Sequence, residues 1–569
     1  MNKRKAISIF LVLALLLSMV LVGCEDKKNG EVGKNESEQS GIDEKKENKD
    51  ENEQNDDSKD DKEKLTWETA DLSWKKDTSP ITMSCYIDFT WYPLDKWGED
   101  DVSKEITKRT GVTLDVTKAS NPQQLQTMVA GGDLPDIVFG AGLKTFERSD
   151  VSYAFDELMK EHCPEFLDII DPIEIANNTV SDGHFYTLKT HWKTKEQWDD
   201  PRCIPSVGDV GTFIREDIYE ELGKPSLETV DDFEKLLLQV KEKYPKMIPW
   251  LMRPQYGESV MEWFGLAMGV PVKYENRIIN GITHPEFKEY YKFMNRMFRE
   301  GLFSEESFAY QFEQYKQIRN SGDVFCFTDD TLRGDEVNKF FDDNGIKGHY
   351  VPIMKPLTVD GEKKYKPVDR GIGWADCFIT KNAKDPRRAI LYMEFLKSPE
   401  GDQLTQWGIE GKHYTLDKDG MIVRPEGYEN WDVKQTGIFP WYFMGSGFAE
   451  AVKYYSDKAN NPKYSQNVDL LVEIKKHYER DPALYFCNPE PETEESELAA
   501  EVKETTTNAH VQIITAPSEV EAMERYEKLI SDMKEHGNDE LEEFYNEQYE
   551  KAKKRYEDLT GTPYDELFK

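Results

Sequence analysis

Residues 128–138 read Met-Val-Ala-Gly-Gly-Asp-Leu-Pro-Asp-Ile-Val. Leu125, Met128 and Val129 fall on one helical face behind Pro122, which opens the helix. Gly131-Gly132-Asp133 stops the helix, and Leu134-Pro135 leads into an extended run from Asp136 to Phe139. The same grammar holds upstream. Ile81 to Ile87 reads as a buried strand. Asp100 or Asp101 caps a helix with Val102 and Ile106 one turn apart, Gly111 ends it, and Val112 to Val116 alternates as a second strand. Strand and helix alternating at short spacing predict an α/β lobe with a mostly parallel sheet.

A second group of elements begins near Gly211. Thr212 to Arg215 reads as a short strand or crossing segment. Thr229 and Asp232 form a capping-box-like start, after which Val230, Phe233, Leu236, Leu237, Val240 and Tyr244 mark one face of a helix ended by Pro245. Phe287, Tyr290, Tyr291, Met294, Met297 and Phe298 form another such face, with Gly301 beyond it. Asp385-Pro386 and Ser398-Pro399 each read as an N-cap followed by proline at the first helical position. The last stretch reads as two helices split by Gly537, the second with an inner stripe of Leu541, Phe544, Tyr545, Gln548, Tyr549, Ala552 and Tyr556. No internal repeat is present.

The N-terminus reads as an address. Lys3, Arg4 and Lys5 precede an apolar run of 17 residues, Ala6 to Val22. That is the layout of a secretory signal, and it is short for a spanning helix. Leu21-Val22-Gly23-Cys24 resembles the lipobox of bacterial lipoproteins. The resemblance implies a lipoprotein signal peptide over 1–23 and a diacylglycerol on Cys24, and more than one acyl chain is what a stable anchor needs. Of the 40 residues 25–64, 16 are acidic, 9 basic and none aromatic. They cannot bury enough apolar surface to offset their ordering entropy, so 24–64 reads as the lipidated cysteine followed by a disordered acidic tether. Its length favours a Gram-positive surface, where a folded part must clear a thick wall.

The residues beyond 64 are too many for one simple core and suit two or more lobes. The leader carries +3 and the tether −7, so −33 of the net −37 sits on the globular part. Such a surface repels nucleic acid and anionic headgroups. Aromatics make up 12% of the chain, with 12 Trp, enough to pack the interior and line a ligand surface. Cys85, Cys163, Cys203, Cys326, Cys377 and Cys487 show no CxxC or Cys/His metal spacing. They read as buried thiols, although an extracytoplasmic setting permits disulfides.

Several segments resemble the family 1 extracellular solute-binding proteins of ABC transporters, especially the large carbohydrate-binding lipoproteins of Firmicutes. They are 128–138, Ile214-Arg215-Glu216-Asp217 with the capped helix from Thr229, Phe298-Arg299-Glu300-Gly301-Leu302-Phe303, Gly408-Ile409-Glu410-Gly411-Lys412-His413-Tyr414, and Pro491 to Glu495 with the closing helices. The resemblance implies a two-lobe, periplasmic-binding-protein-like (type II) α/β fold with discontinuous lobes and a helical C-terminal extension. Lobe one is expected over 75–210 plus 311–370, and lobe two over 211–310 plus 371–569. It further implies a monomer, anchored to the membrane by lipid, that closes over a small ligand and docks on ABC permease subunits. Many relatives carry a calcium-binding-like loop before the next Ile-Pro. Here Val240 runs through Tyr244-Pro245 straight to Ile248-Pro249, so no calcium or other cofactor is expected. Asp417 to Gly420 reads as a hairpin turn, having too few spaced oxygens for an EF-hand.

A saccharide offers flat C–H faces and a rim of hydroxyls, so its binder needs aromatic platforms beside polar side chains. Loops at the carboxyl ends of strands are the place for them. The candidates are Trp91 and Tyr92 after the first strand, Glu262 and Trp263, Arg370, Trp374 and Asp376 around Gly371 and Gly373, and Trp441 and Tyr442 before Gly445-Ser446-Gly447. His413 reads as a hydrogen-bonded structural turn, and Trp192 and Trp198 fit cleft or surface equally. An acidic globule rich in aromatics favours a neutral oligosaccharide, with an acidic (uronic) one as the runner-up. Two other classes remain open: a secreted glycoside-processing enzyme, and a surface lipoprotein without a transport role. HExxH, GxSxG, P-loop and GxGxxG motifs are absent, and 110 acidic residues make carboxylate pairs uninformative.

Overall fold

The computed structural model describes residues 65–205, 209–253, 259–266, 271–369 and 373–568. The leader, Cys24, the tether and Arg370 lie outside the described residues. The opening segment forms β1 (Ile81–Ile87), α1 (Asp101–Thr110), β2 (Val112–Lys118), α2 (Gln124–Gly131) and β3 (Ile137–Gly140). β1 pairs in parallel with both β2 and β3, placing Cys85 between Val116 and Ile137. Asp100 caps α1 by accepting the Ser103 N–H at 2.7 Å. Gly132, at φ 67°, is the left-handed residue that ends α2. Asp136 then accepts the N–H groups of Ser84 and Lys384, each at 2.7 Å, clamping the quoted motif to β1 and to a distant part of the chain.

The chain next builds a second sheet from β4 (Val210–Arg215), β5 (Ile248–Met252), β6 (Val324–Asp330) and β7 (Tyr350–Pro352), ordered β5-β6-β4-β7. α3 (Val230–Lys243) joins β4 to β5 and carries the predicted Thr229–Asp232 capping box. Only four residues separate α3 from β5. α4 (Pro285–Arg299) buries Phe287, Tyr290, Tyr291 and Met294 in the same core as Phe233, Leu237 and Trp250. The floor of this sheet holds a buried ion cluster. Arg319, fully buried, donates to Asp329 at 2.9 Å, and Arg253 donates to the other oxygen of Asp329 at 2.6 Å.

β8 (Asp376–Ile379) returns to the first sheet and pairs antiparallel with β3, giving the order β8-β3-β1-β2. α5 (Pro386–Lys397) and α6 (Pro399–Trp407), capped by Asp385 and Ser398 as expected, pack into the first core. α7 (Gly447–Asn460) packs Ala449 and Val452 against Trp407, and α8 (Gln466–Lys475) packs Leu470 and Leu471 against Phe213 and Phe327 of the second sheet. The chain closes with α9 (Glu494–Ile514), α10 (Glu519–Glu535) and α11 (Asn538–Thr560), whose Leu529, Met533, Leu541 and Tyr545 complete the second core. Gly537, at φ 85°, makes the corner between the last two. Asp417–Gly420 is a hairpin turn. All six described cysteines are buried free thiols.

The strand pairing corrects the expected lobe boundaries. Residues 311–370 contribute β6 and β7 to the second sheet, and 376–379 pair with the first. The two returning stretches are exchanged relative to the expectation, because hydrogen-bond partners, not sequence order, decide which half owns a strand. Among the described residues, the passages that join the halves, 190–205, 353–369 with 373–375, and 445–466, lock together at one place. Thr190 donates its N–H to the Ala375 carbonyl at 2.9 Å, and His191 donates to the Gly445 carbonyl at 2.9 Å. A Cβ on Gly373 would overlap the Thr190 carbonyl, and one on Gly447 would lie 2.6 Å from the His191 carbonyl. His191 itself sits at φ 67°.

The two glycines of the opening motif should respond oppositely to alanine. Gly131 is helical with open space around its Cβ position, whereas Gly132 is left-handed. In urea denaturation, Gly131→Ala should raise stability by about 0.4–1 kcal/mol, and Gly132→Ala should lower it by about 1–2 kcal/mol.

Candidate functional site

The chain leaves β1 at Ile87 and turns, sending Trp91 outward and Tyr92 inward. Trp91 is 59% exposed, and Trp374, which precedes β8, is 47% exposed. Their rings lie 6.1 Å apart at 26°. Phe89 backs Trp374 at 5.0 Å and 16°, and Tyr442 lies nearly parallel to it at 6.4 Å. Two large indoles held face to face yet left in water cost hydration free energy that burial would recover. They are supported from behind by the first core and present a rigid apolar platform at the carboxyl end of β1.

Trp374 lines a cavity of about 320 Å³ together with His191, Lys193, Trp198, Asp209 and Tyr478. Asp209 immediately precedes β4, so the cavity is walled by both halves. Tyr478 donates to Asp209 at 2.6 Å. Trp198 is ringed by cations, with Lys193, Lys475 and Arg480 at 5.7, 5.3 and 5.2 Å from its ring. His191 meets the edge of Trp374 at 6.2 Å, hydrogen-bonds Thr190 at 2.6 Å, and lies 3.4 Å from buried Glu450 on α7.

Asp209, Val368 and Tyr478 also line a second cavity of about 700 Å³, which contains Glu262. Burial pushes the Glu262 carboxyl up to about 8, with the nearby Asp209 charge adding to the shift and a Tyr365 hydrogen bond opposing it. Burial likewise raises Asp209 to about 6 against the Tyr478 hydrogen bond and Lys193. Elsewhere buried acids meet bases: Lys189 reaches Asp376 and Glu147, and Lys397 reaches Glu174.

The structure divides the sequence candidates. Trp91 and Trp374 form the platform, and Glu262 lines the adjoining cavity. Tyr92 is a core residue instead, donating its hydroxyl to the Pro440 carbonyl at 2.7 Å. Trp441, fully buried, donates its indole N–H to Asp100 at 3.1 Å, and Tyr442 lies beneath Trp374 rather than in the cavity. Trp263 packs edge-on against Phe233 at 5.4 Å. Asp376 is consumed by Lys189 and the Leu143 N–H. His413 is the satisfied turn histidine, accepting the Ile409 N–H at 3.0 Å and meeting Asp101 at 3.2 Å. Sequence reasoning missed His191, Lys193, Asp209 and Tyr478, which no local spacing links. Trp198, left undecided, lies in the wall.

No protein-family model matches the chain. The fold is that of ABC-transporter solute-binding proteins. The solved structure of the alginate-binding protein AlgQ2 without calcium ion is 19% identical and superposes with a TM-score of 0.62, covering 83% of this chain and 98% of its own. An HMO-binding, ABC-transporter-associated solute-binding protein of Bifidobacterium longum infantis is 15% identical with a TM-score of 0.61, covering 83% and 99%. By sequence, the chain is 22% identical over 395 residues to Lipoprotein LipO of Bacillus subtilis (strain 168), across 66% of this chain and 75% of that protein.

The raised Glu262 carboxyl sets the sign of a pH effect. Its ordinary value is 4.5 and its folded value about 8, so the folded state binds the extra proton between them. Stability should therefore fall as pH rises from about 4.5 to about 8 and level off above that, with Asp209 adding to the fall below about 6. Chemical denaturation across that range should show the slope, and Glu262→Gln should flatten it.

Proposed function

We propose that this chain is the extracytoplasmic substrate-binding lipoprotein of an ABC importer and that it holds a neutral oligosaccharide between its halves. The exposed Trp91–Trp374 platform, bordering a cavity whose far wall comes from the second half, carries the reading. Stacked indoles suit the C–H faces of sugar rings, and Asp209, Tyr478, Lys193 and His191 supply hydrogen-bonding groups for hydroxyls. Asp209 and Asp369 line the cavity with Lys193 and His191, and Lys475 and Arg480 stand behind at Trp198, so the neutral assignment rests on the acidic surface of the globule and the exposed indoles. The fold supports the transport role, and the names of the similar solute-binding proteins and of the Bacillus lipoprotein support sugar binding and a lipid anchor. Under this reading Cys24 carries the anchor, residues 25–64 form the spacer, the protein works as a monomer outside the cell, and the ligand leaves unchanged to permease subunits.

One observation favours an enzyme as the second reading. Glu262 keeps its proton near neutrality beside the more acidic Asp209, the split in acidity that glycoside hydrolysis requires of its carboxyl pair. Both carboxyls line the adjoining cavity, and Asp209, which accepts the Tyr478 hydroxyl, lines the platform cavity as well.

A thermal-shift panel of neutral and uronic oligosaccharides tests the proposal. A neutral ligand at a hundredfold excess over its Kd should stabilise by about 2.7 kcal/mol. Trp374→Ala should weaken that ligand at least tenfold, which is about 1.4 kcal/mol. Chromatography of the recovered sugar should show no product. Hydrolysed sugar would establish the enzyme, and stabilisation by uronic sugars alone would defeat the neutral assignment.

A further inference from the structure

The passage from His191 to Thr194 is a wall with two sides. His191 and Lys193 line the cavity beside Trp374, and Trp192 and Thr194 line another cavity, of about 540 Å³, on the opposite face. From Trp192 to Thr194 successive side chains point to opposite sides. The volume falls within the range of small-molecule pockets, about 300–1,000 Å³.

Three tryptophans meet in that second cavity: Trp67 from the first described segment, Trp192 from the passage, and Trp407 from the end of α6. Trp407 is fixed, donating its indole N–H to the Ala449 carbonyl at 2.7 Å. Trp67 is half-buried and tilts against Phe166 at 5.7 Å. Trp192 is only 6% exposed, and its buried indole N–H has no hydrogen-bond partner among the described residues. A buried donor left unpaired is costly, so each such group calls for a reason. Two amides stand beside these rings. Gln197 spends its oxygen on the Thr194 N–H, leaving its NH₂ without a partner among the described residues, and the Gln403 amide makes no hydrogen bond among them. Asp402, mostly buried, accepts the Ser446 N–H and hydroxyl at 2.9 and 2.6 Å, closing the floor.

We propose that this cavity is a second saccharide site, back to back with the interlobe one and separated from it by the His191–Thr194 segment. Aromatic faces with unspent amides are the chemistry that recognises a neutral polyhydroxylated ring. The site is built from the first half and the start of α7 alone, so it needs no closure. It stands whether or not the interlobe cavity binds sugar.

The test uses mature protein labelled with 5-fluorotryptophan, its ¹⁹F signals assigned with Trp67→Phe, Trp192→Phe, Trp91→Phe and Trp374→Phe. Cellotriose, xylotriose and mannotriose are titrated in turn. At least one should move the Trp67 and Trp192 signals along a saturating curve, and Gln403→Ala should weaken that curve at least threefold while leaving any Trp374 curve within twofold. Trp67 and Trp192 signals unmoved by all three sugars, or moved equally in Gln403→Ala, would overturn the proposal. Unmoved Trp91 and Trp374 signals would count against the interlobe site and not against this one.

Discussion

The architecture hangs on how closely three backbone segments approach at Thr190–His191. Gly373 lies against the Thr190 carbonyl and Gly447 against that of His191, with no room at either place for a side chain. The Thr190–Ala375 and His191–Gly445 hydrogen bonds then tie the passages into one seam. His191 accepts a left-handed backbone to fit, a conformation that costs a non-glycine residue of order 1–3 kcal/mol and persists only where the surroundings over-determine it. The seam fixes where Trp374 stands relative to His191 and Asp209, and through them the shape of the cavity between the halves.

Charge burial separates the framework from the site. In the second half, Asp329 is bracketed by Arg253 and Arg319, and in the first, Asp376 is met by Lys189. Breaking such a buried pair leaves an uncompensated charge, which makes these groups rigid parts of the scaffold. Asp209 and Glu262 are treated differently. The Tyr478 hydroxyl satisfies Asp209, and Glu262 escapes its desolvation penalty by keeping a proton. A carboxyl in that state can donate as well as accept, which a framework ion pair cannot.

Much of the local fold was legible because it rests on local chemistry. The Asp100, Thr229, Asp385 and Ser398 caps, the Gly132 and Gly537 corners and the inner stripe of the last helix are each fixed by residues within a turn or two. The placing of 324–330 and 350–352 in one sheet and 376–379 in the other was not, since Cys377-Phe378-Ile379 and Phe325-Cys326-Phe327 are equally apolar runs and only pairing tells them apart. The site shows the same division. Trp91 and Trp374 stood out as aromatics beside turns and glycines. Yet Tyr92, one residue beyond Trp91, is core, and Trp441 and Tyr442, with the same local signature, are both buried under distant parts of the first core that no local pattern shows. Asp209 and Tyr478 meet only in space.

If the halves close over a ligand as proposed, the platform and the far wall have unequal parts in that closure. Trp91 and Trp374 belong to the first half, so a ring stacked on them gains nearly the same contact whether the halves are apart or together. Such contact adds affinity but does not move the equilibrium, which shifts only by the difference in ligand affinity between the two states. Closure must then be driven by groups that reach the ligand from the second half, and Asp209 and Tyr478 are placed to do so. On the proposed reading the indoles hold the ligand, and the carboxyl–phenol pair across from them decides whether holding it brings the halves together.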